Sequence, residues 1–241
     1  MEDLVKIIAK YGGDIIKFIG DAMIVLWPPK VGTRKNTAFS SADSGAALAA
    51  DEGSLLTNSR KAVQCAIEIQ QQLNNKQIRK GFQQLSVKIG IGVGKCALMH
   101  VGGVFGRAEF FAVGDGLKQA LDSEHHIEAG GQIVVSPQVW ALVAPHFKAK
   151  AVAHGFQRIL DIQGMGVRSR ADALILRAQV DAEDLRRVEK YLRGYVPAAI
   201  IPYIDVDREA YGHETRLLTI MFVALGVDLS QVESREGLRR T

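Results

Sequence analysis

Gly12-Gly13-Asp14-Ile15-Ile16-Lys17-Phe18-Ile19-Gly20-Asp21-Ala22-Met23-Ile24-Val25-Leu26-Trp27 decides how this chain is read. Two apolar runs meet at Gly20-Asp21, so the segment predicts two strands joined by a tight turn. The β-branched and aromatic residues run almost unbroken, as in strands buried on both faces. Lys17 is the one charge inside the first strand, and Asp21 is a carboxylate at the hairpin tip. A lysine and a carboxylate placed in such apolar surroundings call for partners or a ligand.

Working outward, Leu4, Val5, Ile7 and Ile8 predict a short amphipathic helix that stops near Tyr11-Gly12-Gly13. After the hairpin, Pro28-Pro29 breaks the strand. Residues 28–58 read as a flexible insertion, because alanine, serine and glycine dominate and cannot build a core. Asn58 or Ser59 then caps a helix whose Ala62, Val63, Ala66, Ile67, Ile69 and Leu73 share one face. Leu85–Val101 reads as a glycine-punctuated strand region, and Phe110–Gly114 as a short buried strand. A helix follows over 117–126, then a strand at Gln132–Val135 and a helix opened by Ser136-Pro137. His146–Leu160 suggests the last strands. The alternation of strands and helices argues for an α/β or α+β fold with a mixed sheet.

Further along, Asp181-Ala182-Glu183-Asp184 opens a charged helix with Leu185, Val188 and Leu192 on one face, ended by Gly194 and Pro197. Leu217–Leu225 is a fresh, strongly apolar strand.

Composition narrows the function. With 241 residues, 47% of them hydrophobic, the chain can bury one good core. The net charge is +4, yet the basic residues are dispersed among 26 acidic ones with no aromatic interleaving, which argues against nucleic acid as a partner. No apolar run approaches the roughly 20 residues that span a bilayer. The N-terminus lacks the layout of a signal peptide. Cys65 and Cys96 are too few for a disulfide framework, and both read as reduced and structural in a cytoplasmic domain.

Three tempting motifs have plainer explanations. Gly90-Ile91-Gly92-Val93-Gly94-Lys95-Cys96 lacks the glycine spacing and the hydroxyl of a phosphate loop, so its glycines serve close backbone packing. His125-His126 point about 100° apart on a helix and do not share a metal site easily. Arg186-Arg187 and Arg239-Arg240 are solvated faces.

The hairpin resembles the central hairpin of class III nucleotide cyclases, and most closely the first catalytic half of soluble adenylyl cyclases. Val87–Gly94 and Phe110–Gly114 are similar to the second signature region of that family. The resemblance implies an α+β fold at residues 1–165, a ferredoxin-like α/β sandwich on a mixed, mainly antiparallel sheet that lacks its first strand. Residues 166–214 would then form a linker with a helix, and 215–241 the first strand of a second cyclase half. It implies conversion of ATP to cyclic AMP and pyrophosphate by two-metal catalysis with Mg²⁺ or Mn²⁺, Asp21 being one of two metal-holding carboxylates. Lys17 falls where the family places a purine-reading or regulatory lysine; the plain alternative is a strand lysine reaching solvent. The run Asp115–Asp122 lacks the Asn and Arg that the catalytic half carries there, and Ala224 stands where the opening strand of a metal-binding half has its aspartate.

The family reading therefore expects ATP and a second cyclase half as partners, and little or no activity from the chain by itself. Two alternatives stay open: a non-catalytic half that regulates or dimerises, and a ferredoxin-like module that binds no nucleotide.

Overall fold

A computed structural model describes residues 2–28, 52–77, 84–163 and 182–197, together with 201, 219 and 221. In chain order the elements are α1 (Glu2–Lys10), β1 (Asp14–Ile19), β2 (Ala22–Leu26), α2 (Glu52–Leu73), β3 (Ile89–Ile91), β4 (Cys96–Gly102) and β5 (Ala108–Gly114). They continue with α3 (Asp115–His125), β6 (Ile133–Val135), α4 (Pro137–Val143), β7 (Phe147–Ala151), β8 (Gln157–Ile162) and α5 (Ala182–Arg193). The fold is α+β, with antiparallel and mixed sheets. The chain forms two compact units, Met1–Lys95 with Asp115–Ile175, and Cys96–Gly114 with Leu176–Thr241.

In the first unit, α2 carries two cores. Val63 and Ala66 pack with Ile133, Val135, Val139, Val143, Phe147 and Ile159, whereas Cys65, Ile69 and Leu73 pack with Ile7 and Ile8 of α1. The expected apolar face of this helix is present, but the helix starts at Glu52. Asn58 and Ser59 therefore lie inside it rather than capping it. Asn58 instead donates from Nδ2 to the Trp27 carbonyl at 3.1 Å, tying the helix to the end of the hairpin. The rest of the expected insertion, and the expected strand at Leu217–Leu225 apart from Thr219 and Met221, lie outside the described residues.

The hairpin forms as read, with Phe18 opposite Met23, Ile19 opposite Ala22, and Gly20 at φ +61° in the turn. Burial on both faces does not follow. Ile15, Met23, Val25 and Trp27 reach the second core, while Phe18 and Ile19 are more than half exposed. The reason is topological: β1 and β2 form a two-stranded sheet, and among the described residues no neighbouring strand flanks them. Gly13 keeps the hairpin close to α1. A Cβ there would come within 2.8 Å of Ile8 and of the Trp27 ring.

The main sheet has strand order β3-β6-β8-β7, with β3 and β6 parallel and the other pairs antiparallel. The single expected strand region at Leu85–Val101 thus divides between β3 here and β4 in the second unit. Along β3, Ile89, Ile91 and Val93 point into the core shared with α2 and α4, so Gly90 and Gly92 face the other way, onto α3. A Cβ on Gly92 would sit 2.3 Å from the Gly116 carbonyl oxygen and 2.5 Å from the Ala120 amide. The glycines therefore serve close packing, as the sequence suggests.

Glu68 closes the first unit's polar edge. Its carboxylate accepts from Lys10 Nζ at 2.7 Å and from the Tyr11 hydroxyl at 2.7 Å. Burial disfavours the Glu68 charge, but the bonds from Lys10, Tyr11 and Gln72 outweigh it and hold the carboxyl below its usual range. Burial, and after it the bond to Glu68, pushes the Tyr11 phenol upward.

Gly92→Ala should lower the free energy of unfolding by about 1–3 kcal/mol in urea titrations, because backbone rather than a flexible side chain must yield. Since the folded Glu68 pKa is depressed, its contribution is present above the unfolded carboxylate value and lost as pH falls through the folded one. Glu68→Gln should therefore flatten the acid side of the stability–pH curve, measured by thermal melts.

Candidate functional site

Two places in the first unit position chemistry. The first is the hairpin tip, where Gly20 turns the chain and leaves Asp21 exposed. Lys17 is half-buried and sits opposite Ile24. Met23 and Val25 face the core, so alternation places the Lys17–Ile24 pair on the outer face of the ribbon. A bulge between Ile15 and Lys17 makes that switch of face possible.

The described residues gather no cluster of metal ligands around Asp21. Among the described residues, no group of three or more His, Cys, Asp or Glu side chains is placed to hold a metal ion. A two-ion centre needs several oxygen donors converging on it. Asp21 supplies one carboxylate, so the described residues do not fit a metal pair.

The second place was not legible as a site. Strands β3 and β6 are adjacent and parallel, yet the helices that pack beside their ends lie on opposite faces: α3 over the glycines of β3, α4 with α2 in the core. Beyond the carboxyl ends of such a strand pair a crevice opens, the usual ligand position of an open α/β sheet. Here it is a cavity of about 440 Å³ lined by Asp115, Lys118, Gln119, Asp122, Pro137, Gln138 and Phe156.

Its floor is a buried polar network. Ser136 caps α4 by accepting from the Val139 amide at 3.2 Å, and donates to Gln119 Oε1 at 2.8 Å. Gln119 Oε1 also accepts from the Val93 amide at 3.3 Å, and the Ser136 amide donates to the Ile91 carbonyl at 3.0 Å. One glutamine thus joins the ends of both parallel strands to α3. Fully buried Ser123 bonds its hydroxyl to the Gln119 carbonyl at 2.7 Å.

On the wall, Lys118 pairs with Asp122 at 3.1 Å across one helical turn, while Asp115 opens α3. The Phe156 ring stacks on His126 at 4.1 Å, and His126 Nδ1 donates to the Asp122 carbonyl at 2.7 Å. His126 is therefore a structural support rather than part of a solvated helix end, and His125 beside it is exposed. The sequence signals for this crevice were the Ser136-Pro137 cap and the run Asp115–Asp122. Nothing in them showed that β3 and β6 would lie parallel and adjacent.

The cysteines have no role in either place. Both are free; Cys65 is buried, its thiol pushed up to about 12 by burial, whereas Cys96 is exposed, contrary to a structural reading. Among the described residues no helix is long and apolar enough to cross a membrane.

No family model matches the chain. Among curated proteins it is similar to adenylate cyclase type 10 of Rattus norvegicus, 25% identical over 253 residues, which cover 92% of this chain and 14% of that protein. The chain thus spans about a seventh of the length of that relative. Solved structures to which the chain is similar include a dimeric guanylyl cyclase domain of the RhoGC fusion protein from Blastocladiella emersonii. It is 16% identical with a TM-score of 0.47, over 68% of this chain and 78% of that one. The adenylyl cyclase CyaB from P. aeruginosa is 19% identical with a TM-score of 0.44, over 69% and 80% respectively. The resemblance to class III nucleotide cyclases read from the hairpin is met again in the similarity to adenylate cyclase type 10, along 92% of the chain.

Ser136→Ala removes both a helix cap and the proton donated to Gln119. A loss of about 1–2 kcal/mol in chemical denaturation is expected. Gln119→Leu should cost at least as much, since it strips the Val93 amide and the Ser136 hydroxyl of their acceptor at once.

Proposed function

We propose that this chain is a class III nucleotide cyclase-like half, whose parent reaction converts ATP to cyclic AMP and pyrophosphate. In that reaction the ribose 3′ oxygen bonds to the α-phosphorus, the bond to the β-phosphate oxygen breaks, and the 3′-hydroxyl proton leaves. The observation that carries the reading is the hairpin. Its sixteen-residue apolar sequence folds into two paired strands and presents Asp21 at the tip, where the family holds a metal-binding carboxylate. The similarity to adenylate cyclase type 10 along 92% of the chain supports it.

By itself the chain is a catalytically silent partner. One exposed carboxylate does not make a two-ion site, and the crevice wall carries Asp115 and Asp122 with a single lysine between them. Two carboxylates repel a triphosphate, and Lys118 is already paired with one of them. A second half would have to complete the nucleotide site, with Mg²⁺ or Mn²⁺ as its ions. Lys17, on the outer face of the hairpin, is assigned to the purine or regulatory pocket of that assembled site.

A second reading follows from the same crevice. If its carboxylates exclude nucleotide altogether, the half regulates or dimerises with a catalytic partner and binds no substrate. Metal-dependent nucleotide binding separates the two.

Purified chain incubated with Mn²⁺ and ATP should form no cyclic AMP above the blank; product formation would overturn the silent-half reading. In calorimetry, Mn²⁺-ATP should bind weakly, and Asp21→Asn should weaken it by about tenfold or more, a change of at least 1.4 kcal/mol. Equal binding by both proteins would remove Asp21 from the site, and no binding by either would favour the regulatory half.

A further inference from the structure

Two polar groups on the wall of the crevice are not spent within the fold, and an aromatic ring lines the same cavity of about 440 Å³. The first is the amide nitrogen of Gln119. Its Oε1 accepts from the Val93 amide, which can only donate, and from the hydroxyl of fully buried Ser136. Those two bonds fix which way the side-chain amide lies. Nε2 is thus the end turned away from the floor, and among the described residues it meets no acceptor. The second is the carboxylate of Asp115, exposed at the start of α3 and, among the described residues, without a hydrogen bond or ion pair. The ring is Phe156, held by its stack on His126 with 19° between the two planes.

These groups define what would fit. Lys118 and Asp122 neutralise each other at 3.1 Å, so Asp115 sets the charge of the cavity and favours a monocation. A carboxylate and an aromatic ring together suit a guanidinium better than an ammonium. The guanidinium is planar, lies flat on a ring, and offers a carboxylate two parallel N–H bonds. It has no acceptor of its own, so the Gln119 Nε2 calls for a carbonyl elsewhere on the same ligand. The volume is that of a small-molecule pocket, a class that begins at roughly 300 Å³.

We infer that the crevice binds a small guanidino compound that also carries a carbonyl group. Asp115 takes the guanidinium, Phe156 stacks on its plane, and Gln119 Nε2 donates to the carbonyl oxygen. Asp21 is not among the lining residues, and neither metal nor nucleotide enters the test of this pocket.

The probe is Nα-acetylarginine amide, a monocation with carbonyl groups, titrated into the full chain by calorimetry. Two companions dissect it: the citrulline counterpart is its uncharged isostere, and butylguanidinium keeps the charge but lacks the carbonyls. The arginine compound should bind, and the citrulline compound should bind about tenfold more weakly or not at all. Asp115→Asn should weaken the arginine compound by about tenfold, and Phe156→Leu by about threefold. Gln119→Glu keeps an acceptor for Val93 and Ser136 but removes the donor. In that variant the arginine compound should lose its advantage over butylguanidinium.

No binding of the arginine compound, or equal binding of its citrulline counterpart, would overturn the site. Unchanged affinity in Asp115→Asn would do the same, and that exposed position leaves the floor network intact, so the outcome stays readable even where Phe156→Leu does not fold. Tighter binding of Nα-acetyllysine amide than of the arginine compound would overturn the guanidinium. An advantage over butylguanidinium that survives in Gln119→Glu would remove Gln119 from the contact.

Discussion

Helix α2 buries Val63 and Ala66 in one core and Cys65, Ile69 and Leu73 in another, and the first unit depends on that double burial. One core fastens the β3-β6-β8-β7 sheet and α4; the other fastens α1 and the hairpin. A two-stranded ribbon is marginal in water by itself. The hairpin therefore owes its persistence to Met23, Val25 and Trp27 lying on the α1–α2 layer. Bonds from Trp27 to the Tyr11 carbonyl and from Asn58 to the Trp27 carbonyl close the seam. Asp21 stands in place because that layer holds the strands below it.

The sheet's other side obeys a steric rule. Alternation on β3 sends Ile89, Ile91 and Val93 to α2 and α4 and leaves only hydrogen atoms facing α3. The helix then approaches until Gly116 and Ala120 are in contact with the strand, and Ser123 and Gln119 can reach strand carbonyls and amides. A bulkier residue in place of those glycines would lift α3 and break the reach of Gln119 to Val93 and Ser136. The crevice is a consequence of the same arrangement. Two parallel strands end side by side while their neighbouring helices part to opposite faces, and the side chains on the parting helices become its walls.

Much of this was legible because it is local. The apolar spacing of Ala62, Val63, Ala66, Ile69 and Leu73, the Ser136-Pro137 start of α4, the Gly20 turn and the Gly194 stop all depend on neighbours a few residues away. The start of α2 was misjudged because Glu52–Asn58 has helix-compatible residues but no apolar stripe, and the stripe was the signal. Burial of the hairpin was misjudged because a continuous apolar run records what the strands can tolerate, not how many neighbours they acquire. Phe18 and Ile19 are exposed for want of an adjoining strand in the described residues.

By itself, the sequence determined the helices, the hairpin with Lys17 and Asp21, and the resemblance to class III nucleotide cyclases, since each is written in short-range spacing. Only the tertiary structure decided that β3 and β6 lie parallel, that Gln119 bridges their ends, and that Asp115, Lys118, Asp122 and Phe156 wall one cavity. Those pairings join residues far apart in the chain, and their partners are chosen by which surfaces can be buried together. No periodicity along the chain records that choice.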